Sequence, residues 1–393
     1  MVVKIINQIR EKEIVMREFT ISTSVLFGEG ALDRLSQVMQ KRVMIITDSF
    51  IAQSDILEKV MSKLSSCTVT VFDEIVPDPP VEVVARGLEK LKETDAQVII
   101  AVGGGSSIDG AKAIREMAAK MDGLNLHIDE CYAIPTTSGT GSEVTKFSVI
   151  TDTKNGKKTL LVNDSLIPMV AILDPEFTKS VPPGITADTG LDALTHAIEA
   201  YVSKDATDFT DALAEKSISL IFYFLPKAYR NGEDTLARER MHNASCLAGM
   251  AFNDAGLGIN HSIAHAIGAK FNIPHGKSNA LLLPHIIEYN AALAKSGYEN
   301  YTVTARKYQR IARIVGVPAS SIPVAIGSLI KRICDMQKEL GIPASFSELG
   351  IQENAVEEAM DEMVKHALAD MCTKTNPTPV SAEDVEKIIR TLL

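Results

Sequence analysis

Two stretches of this 393-residue chain set metal-binding side chains at helical spacing. In Thr189-Gly190-Leu191-Asp192-Ala193-Leu194-Thr195-His196, a carboxylate and an imidazole stand four residues apart, so on a helix both project from one face. Leu191, Leu194 and Ile198 favour a buried helix, where such a pair needs a reason that a cation would supply. Alone, an Asp/His pair at this spacing is also the pattern of an ordinary helix-surface pair. The second stretch, Asn260-His261-Ser262-Ile263-Ala264-His265, repeats the spacing among small and apolar neighbours, and Pro274-His275-Gly276 adds a ring on a rigid turn. Imidazole and carboxylate together suit Fe(II) or Zn(II) and disfavour Ca(II) or Mg(II). Structural zinc would prefer thiolates, so an open catalytic site is the better reading. Spacing leaves open which of His261, His265 and His275 bind. His242 and His285 read as structural or rim residues, and no constellation surrounds His127 or His366.

A second chemistry is written where the apolar run 98–102 enters Gly103-Gly104-Gly105-Ser106-Ser107-Ile108-Asp109. A buried strand, three glycines and a helix start let a pyrophosphate approach backbone N–H groups at the positive helix end. The pattern is neither GxGxxG nor a P-loop, and a tight strand-to-helix turn would also produce it. A loop of hydroxyls and glycines, Pro135-Thr136-Thr137-Ser138-Gly139-Thr140-Gly141-Ser142-Glu143, follows the strand 131–134 and could line the same cofactor. Asp48 closes an earlier strand. An acid there can take ribose hydroxyls and repel a 2′-phosphate, which favours NAD over NADP, though a helix-capping role is equally open.

These residues need elements to hold them. Segments 43–47, 68–72, 98–102, 131–134 and 170–173 read as buried strands, and 81–91 and 107–117 as intervening helices. That alternation predicts a mostly parallel sheet in a Rossmann-like α/β domain. Residues 147–162 read as a hairpin turning through Lys154-Asn155-Gly156. After Pro182-Pro183-Gly184, taken as a linker, the pattern is almost wholly helical. The expected division is an extension over 1–17, an α/β nucleotide-binding domain over 18–184 and an all-α metal-binding domain over 185–393. Val2, Ile5, Ile6 and Ile9 would share one face of a short N-terminal helix, packed on its own fold or a partner subunit.

Composition narrows the partners. A hydrophobic share of 46% fits a globular protein, and a net charge of −10 argues against nucleic acid or an anionic membrane. No apolar run reaches the ~20 residues of a membrane span, and the N-terminus lacks the pattern of a secretory signal. The five scattered cysteines read as buried free thiols in a reducing cytoplasm.

From Phe19 to the C-terminus, the loops at 103–109 and 135–143, Asp192-x3-His196 and His261-x3-His265-x9-His275 resemble, in order and spacing, the iron-containing (group III) alcohol dehydrogenase family. The segments 206–216 and 241–245 are similar to the 1-propanol dehydrogenases of bacterial propanediol-utilisation microcompartments. The resemblance implies a dehydroquinate synthase-like fold with the active site between its two domains. It implies a metal, Fe(II) with Zn(II) as the alternative, on Asp192, His196, His261 and His275, and His265 beside the ion as the residue that orients substrate or passes a proton. For NAD it points to Asp48, Asp78, Gly103, Gly104, Gly105, Ser106, Ser107, Thr136, Thr137, Val149 and Lys158. Asp78 departs from the family, in which many members carry Asn.

The expected reaction is NAD(H)-linked interconversion of short-chain primary alcohols and aldehydes. 1-Propanol and propionaldehyde are favoured, and 1,2-propanediol/lactaldehyde or ethanol are alternatives within the family. A dehydroquinate synthase-like lyase would need basic residues around a polyanionic substrate, whereas 251–269 is apolar and small. A catalytically inactive scaffold is disfavoured by the complete ligand set. The expected assembly is a cytoplasmic homodimer. The microcompartment resemblance adds shell proteins or a co-encapsulated aldehyde dehydrogenase as partners, with residues 1–17 as a docking peptide.

Overall fold

Strands that are apolar on both faces can only persist where both faces are covered, and the sheet of this protein is built that way. The computed structural model describes residues 18–121, 128–154, 157–293 and 301–393. The expected N-terminal helix, Asn155-Gly156 and His127 lie outside them. Strands β1 (Ser24–Phe27), β2 (Arg42–Asp48), β3 (Thr68–Ile75), β4 (Val98–Gly103), β5 (Glu130–Pro135) and β8 (Val170–Leu173) form one parallel sheet in the order β1-β8-β5-β4-β2-β3. The alternation of side chains sorts its core into two layers. Met44, Ile46, Ile99 and Ala101 pack with helices α3 (Val81–Thr94) and α4 (Gly105–Lys120). Val43, Ile45, Ile100, Val102 and Ile134 pack on the other side with α2 (Asp55–Ser62) and the 3-10 helix Ala31–Gln37. The short α1 (Ser49–Ala52) follows β2 directly.

The hairpin expected over 147–162 is present as the antiparallel pair β6 (Phe147–Asp152) and β7 (Lys157–Val162), separate from the main sheet. It is tied to the turn after β3, where the Thr151 backbone N–H donates to Pro79 at 2.9 Å.

Beyond β8 the chain is helical: α5 (Pro183–Val202), α6 (Asp208–Arg230), α7 (Thr235–Ala255), α8 (Ile259–Phe271), α9 (His275–Ala291), α10 (Val303–Ile314), α11 (Ile322–Glu339), α12 (Glu353–Ala369) and α13 (Ala382–Arg390). Pro182-Pro183-Gly184 is not a linker. Pro182 caps α5 and Pro183 opens its first turn, where the missing N–H costs no hydrogen bond. From Gly190 to its last residue α5 is buried all round, so every polar side chain it carries there must find a partner inside the protein. Leu191, Leu194 and Ile198 anchor it in a core shared with α6, α7 and α9, while α8, α12 and α13 build a second helical core around Ile263, Met363 and Ile389. A small cluster of Val144, Ala171, Leu173 and Cys246 joins the sheet to the helices. Among the described residues, no helix is long and apolar enough to cross a membrane. The cysteines depart in part from expectation: Cys131 and Cys246 are buried, but Cys334 is exposed on the amphipathic α11.

Candidate metal centre and cofactor cleft

On α5, Asp192, His196 and Glu199 occupy positions i, i+4 and i+7, a polar stripe along an otherwise apolar helix. His261 lies one turn into α8, and His275 is the first residue of α9. One ligand atom from each of Asp192, His196, His261 and His275 can be chosen so that all four lie within 4.8 Å of one another. Asp192 Oδ1 is 3.4 Å from His275 Nε2 and 3.8 Å from His261 Nε2, and Asp192 Oδ2 is 3.9 Å from His196 Nδ1. Gly276 permits this convergence. A Cβ there would fall 2.2 Å from the Asp188 carbonyl oxygen, so only glycine lets the start of α9 close on α5.

The chemistry of the cluster fits a cation. His196 Nδ1 and His261 Nε2 are buried without a hydrogen-bond partner, and each such orphan costs about 1–3 kcal/mol unless something accepts its lone pair. Burial lowers the pKa of His196 and holds His261 well below the usual imidazole value, so both rings are neutral donors at pH 7. His275 follows the same direction, desolvation coming first, but 42% of its side chain remains accessible, whereas Asp192 and His261 are nearly closed off. The open side of the cluster is therefore the His275 side.

A second layer fixes these donors. The Glu199 carboxylate pairs with His261 Nδ1, which turns Nε2 toward the cluster. Its other oxygen accepts from the backbone N–H of Asn260 at 2.8 Å, at the positive end of α8. Gly258 makes room for it, since a Cβ there would sit 2.7 Å from Glu199 Oε1. Asn279 Nδ2 donates to Asp192 Oδ1 at 2.7 Å, and its carbonyl accepts from Asn260 Nδ2 at 2.9 Å. Phe252 stacks on His196 with ring centroids 4.6 Å apart, and Phe147 of β6 stacks on Phe252 at 6.1 Å. Spacing had not drawn out Glu199, Asn260 or Asn279. The i+7 continuation of the Asp192/His196 stripe was the available signal for the first, and nothing local marks the other two.

His265 is not in this set of four. Its ring stacks on His275 with centroids 5.2 Å apart and planes 18° from parallel, and its Nδ1 lies 2.8 Å from Asp370 Oδ2. Burial would push Asp370 upward, but hydrogen bonds from His265 and Cys372 outweigh it and hold the carboxyl at about 2.

The residues expected to meet a nucleotide gather at the carboxyl edge of the parallel sheet. Gly103 (φ +144°) turns the chain from β4, Gly104 caps α4, and the Thr136 N–H donates to the Gly103 carbonyl at 3.0 Å. Gly105 faces Thr140, and Thr137 lies beside Gly104, so the two hydroxyl-and-glycine loops oppose each other. Asp48 takes the capping role that was one of its two readings. Its Oδ1 caps α1 through the N–H groups of Phe50 and Ile51, while Oδ2 accepts from Ser107 Oγ at 3.3 Å and faces the loop. Asp78 (φ +50°) donates its N–H to Ser106 Oγ and pairs with Lys158 of β7 at 2.7 Å. Val149 donates its N–H to Asp109 Oδ2 at 2.9 Å. Behind the loops, buried Lys112 donates to Ser142 Oγ and to the carbonyls of Thr145 and Phe147, each at 2.8 Å; burial lowers it to about 8. His242 is buried too, hydrogen-bonded through Nδ1 to Ser138.

Two family profiles cover nearly all of this architecture. One, described as iron-containing alcohol dehydrogenase, matches residues 22–175, and the other, the C-terminal part of the Fe-containing alcohol dehydrogenase family, matches 186–393. The chain belongs to this family. The 1-propanol dehydrogenase PduQ of Salmonella typhimurium is 43% identical over 381 residues, covering 96% of this chain and all of that protein. The NAD-dependent methanol dehydrogenase of Bacillus methanolicus is 36% identical over 96% of this chain and all of its own length. The crystal structure of a 1,3-propanediol oxidoreductase superposes with a TM-score of 0.87 at 33% identity, over 96% of this chain and 100% of that one. This iron-containing alcohol dehydrogenase is thus an oxidoreductase with an α/β sheet domain and a helical domain.

Proposed function

We propose that the enzyme interconverts short-chain primary alcohols and aldehydes with NAD(H), with 1-propanol and propionaldehyde as the preferred pair. Asp192, His196, His261 and His275 would hold a divalent ion, Fe(II) by family, and the observation that carries the reading is their convergence with two orphaned imidazole nitrogens. When bound, the ion would supply Lewis acidity to the substrate oxygen and the nicotinamide would exchange the hydride. His265, on the accessible side beside His275, orients the substrate and handles the hydroxyl proton. The glycine loop and the N-terminus of α4 receive the pyrophosphate, and Asp48 Oδ2 takes ribose hydroxyls and repels a 2′-phosphate. The preference for propanol is supported by 43% identity to a 1-propanol dehydrogenase.

The test is anaerobic purification, metal quantification and an alcohol/aldehyde panel with both NAD and NADP. One equivalent of Fe(II) or Zn(II), and higher kcat/KM with NAD on 1-propanol than on methanol or ethanol, is the expected result. Metal-free protein with full activity would sink the metal assignment, and a preference for NADP would sink the role given to Asp48. Asp192→Ala and His196→Ala are expected to lose metal and activity together, while His265→Ala keeps the metal and loses rate by about 10²–10⁴-fold. We further propose that the cytoplasmic enzyme is a homodimer and that residues 1–17 direct it into a microcompartment shell. A fluorescent reporter carrying those residues that stayed diffuse in shell-forming cells would rule that targeting out.

A further inference from the structure

The side chain that meets His265 lies 105 residues further along the chain. Asp370 directly follows α12 as its C-cap and opens the 3-10 turn Met371–Thr375, and its two oxygens face different partners. Oδ1 accepts from the Cys372 N–H at 2.8 Å, capping the turn, and lies 3.4 Å from the Ser262 hydroxyl on α8. Ser262 in turn accepts from Thr373 Oγ1 at 2.8 Å, so the turn and the helix are laced together. Oδ2 faces His265, at 2.8 Å from Nδ1.

An ionised carboxylate can only accept a hydrogen bond, so the proton of this contact must sit on Nδ1, and in the neutral tautomer that this selects Nε2 carries the lone pair. We infer that Asp370 is a positioning residue that locks His265 in its Nδ1–H tautomer and makes Nε2 the atom that exchanges the substrate proton. This rests on His265 as the proton-handling group. In the oxidative direction the hydroxyl O–H breaks and its proton goes to Nε2. The carbinol C–H electron pair leaves as hydride to the nicotinamide, and the second proton of the ring is later lost from Nε2 to solvent. Asp370 stays ionised throughout and stabilises the ring while both nitrogens are protonated. Without that anchor, a ring with 40% of its side chain accessible could take either tautomer.

The separate tasks of the two oxygens make the inference separable from a merely structural role. Asp370→Asn keeps a carbonyl oxygen for the Cys372 N–H but turns an amide NH2 toward Nδ1. Nδ1 must then accept, and the ring proton moves to Nε2. Asp370→Asn, Asp370→Glu and His265→Ala would be compared for kcat, KM, metal content and melting temperature. Spectra of 15N-histidine-labelled, zinc-loaded protein would read the tautomer, with His265→Ala identifying the signal.

Expected for Asp370→Asn are a kcat lowered about 100-fold, a KM within a few-fold of wild type, unchanged metal content and a signal switched from Nδ1–H to Nε2–H. Asp370→Glu, which restores a carboxylate, is expected to recover part of kcat. Wild-type kcat or tautomer in Asp370→Asn beside a slow His265→Ala would overturn this inference alone. Wild-type kcat in His265→Ala would sink the proton-handling reading and this inference with it. A parallel fall in metal and melting temperature in both Asp370 variants would reduce Asp370 to a structural cap. Two metal equivalents falling to one in Asp370→Asn would mean that His265, Asp370 and Cys372 hold an ion instead, which also overturns it.

Discussion

Glu199 and Glu143 are both closed off from water, and the chain treats them differently. Burial pushes Glu199 up to about 8, and the N–H groups at the start of α8 together with His261 are what it has in exchange. Replacing it with Gln keeps the volume but removes the carboxyl group that faces His261 Nδ1 and could ionise once a cation binds. The expected effect is a 10–100-fold weaker metal affinity by competition with a chelator. Glu143 has no such partner ring: burial raises it to about 7 from a usual 4.5, with its own backbone N–H and Lys112 offsetting only part. Between about pH 4.5 and 7 the folded protein therefore holds a proton that the unfolded chain has lost. Stability falls as pH rises through that window, by about 3 kcal/mol once both states are ionised. Glu143→Gln cannot ionise, so its melting temperature is expected to gain on wild type from pH 5 to pH 9; a constant difference would refute this. Glu143 closes the loop whose hydroxyls and glycines could line the cofactor, yet its own side chain is buried, because sequence pattern does not say which side of a loop faces a cleft.

At the level of elements, contact between backbones sets the geometry. A Cβ on Gly276 would collide with the Asp188 carbonyl, which cannot swing aside as a side chain can. Gly276→Ala is expected to cost about 1–3 kcal/mol in denaturant unfolding and to lower metal occupancy, because α9 must back away from α5 with His275. Gly184→Ala is the contrast: nothing lies within 4 Å of its Cβ, and it sits in the first turn of α5. That change is expected to be neutral or stabilising by up to about 1 kcal/mol. The strands and helices were legible because their apolar periods are strong, and the histidine-rich cluster because i,i+4 spacing survives folding unchanged, while the choice among His261, His265 and His275 came from the family resemblance. The Asp370 contact was not legible. It joins α8 to a turn 105 residues away, and a lone Asp before Met-Cys carries no period to read. The tie between Asp78 and Lys158, 80 residues apart, was hidden for the same reason.

Across the whole molecule, the four ligand candidates come from α5, α8 and α9, while the candidate cofactor residues lie on loops of the sheet and the β6–β7 hairpin. One ion would thus cross-link three helices of the helical half. Chelation is expected to lower the melting temperature, because an ion present at 1,000 times its Kd contributes about 4 kcal/mol. Fe(II) or Zn(II) should restore it and Mg(II) should not, given the imidazole donors. A melting temperature indifferent to chelator would count against a bound ion. The order of the ligands along the chain also has a consequence for biosynthesis. Every cleft residue named above precedes Asp192, and His275 follows it by about 80 residues, which at ~5–20 residues per second means roughly 4–16 s of further translation. A nascent chain that has just completed α5 would therefore offer the candidate nucleotide loops while its metal site still lacks two imidazoles, His261 and His275. Ion capture would then follow the synthesis of His275, well before the C-terminus, and the divalent ions available from that point would bias which one the enzyme carries.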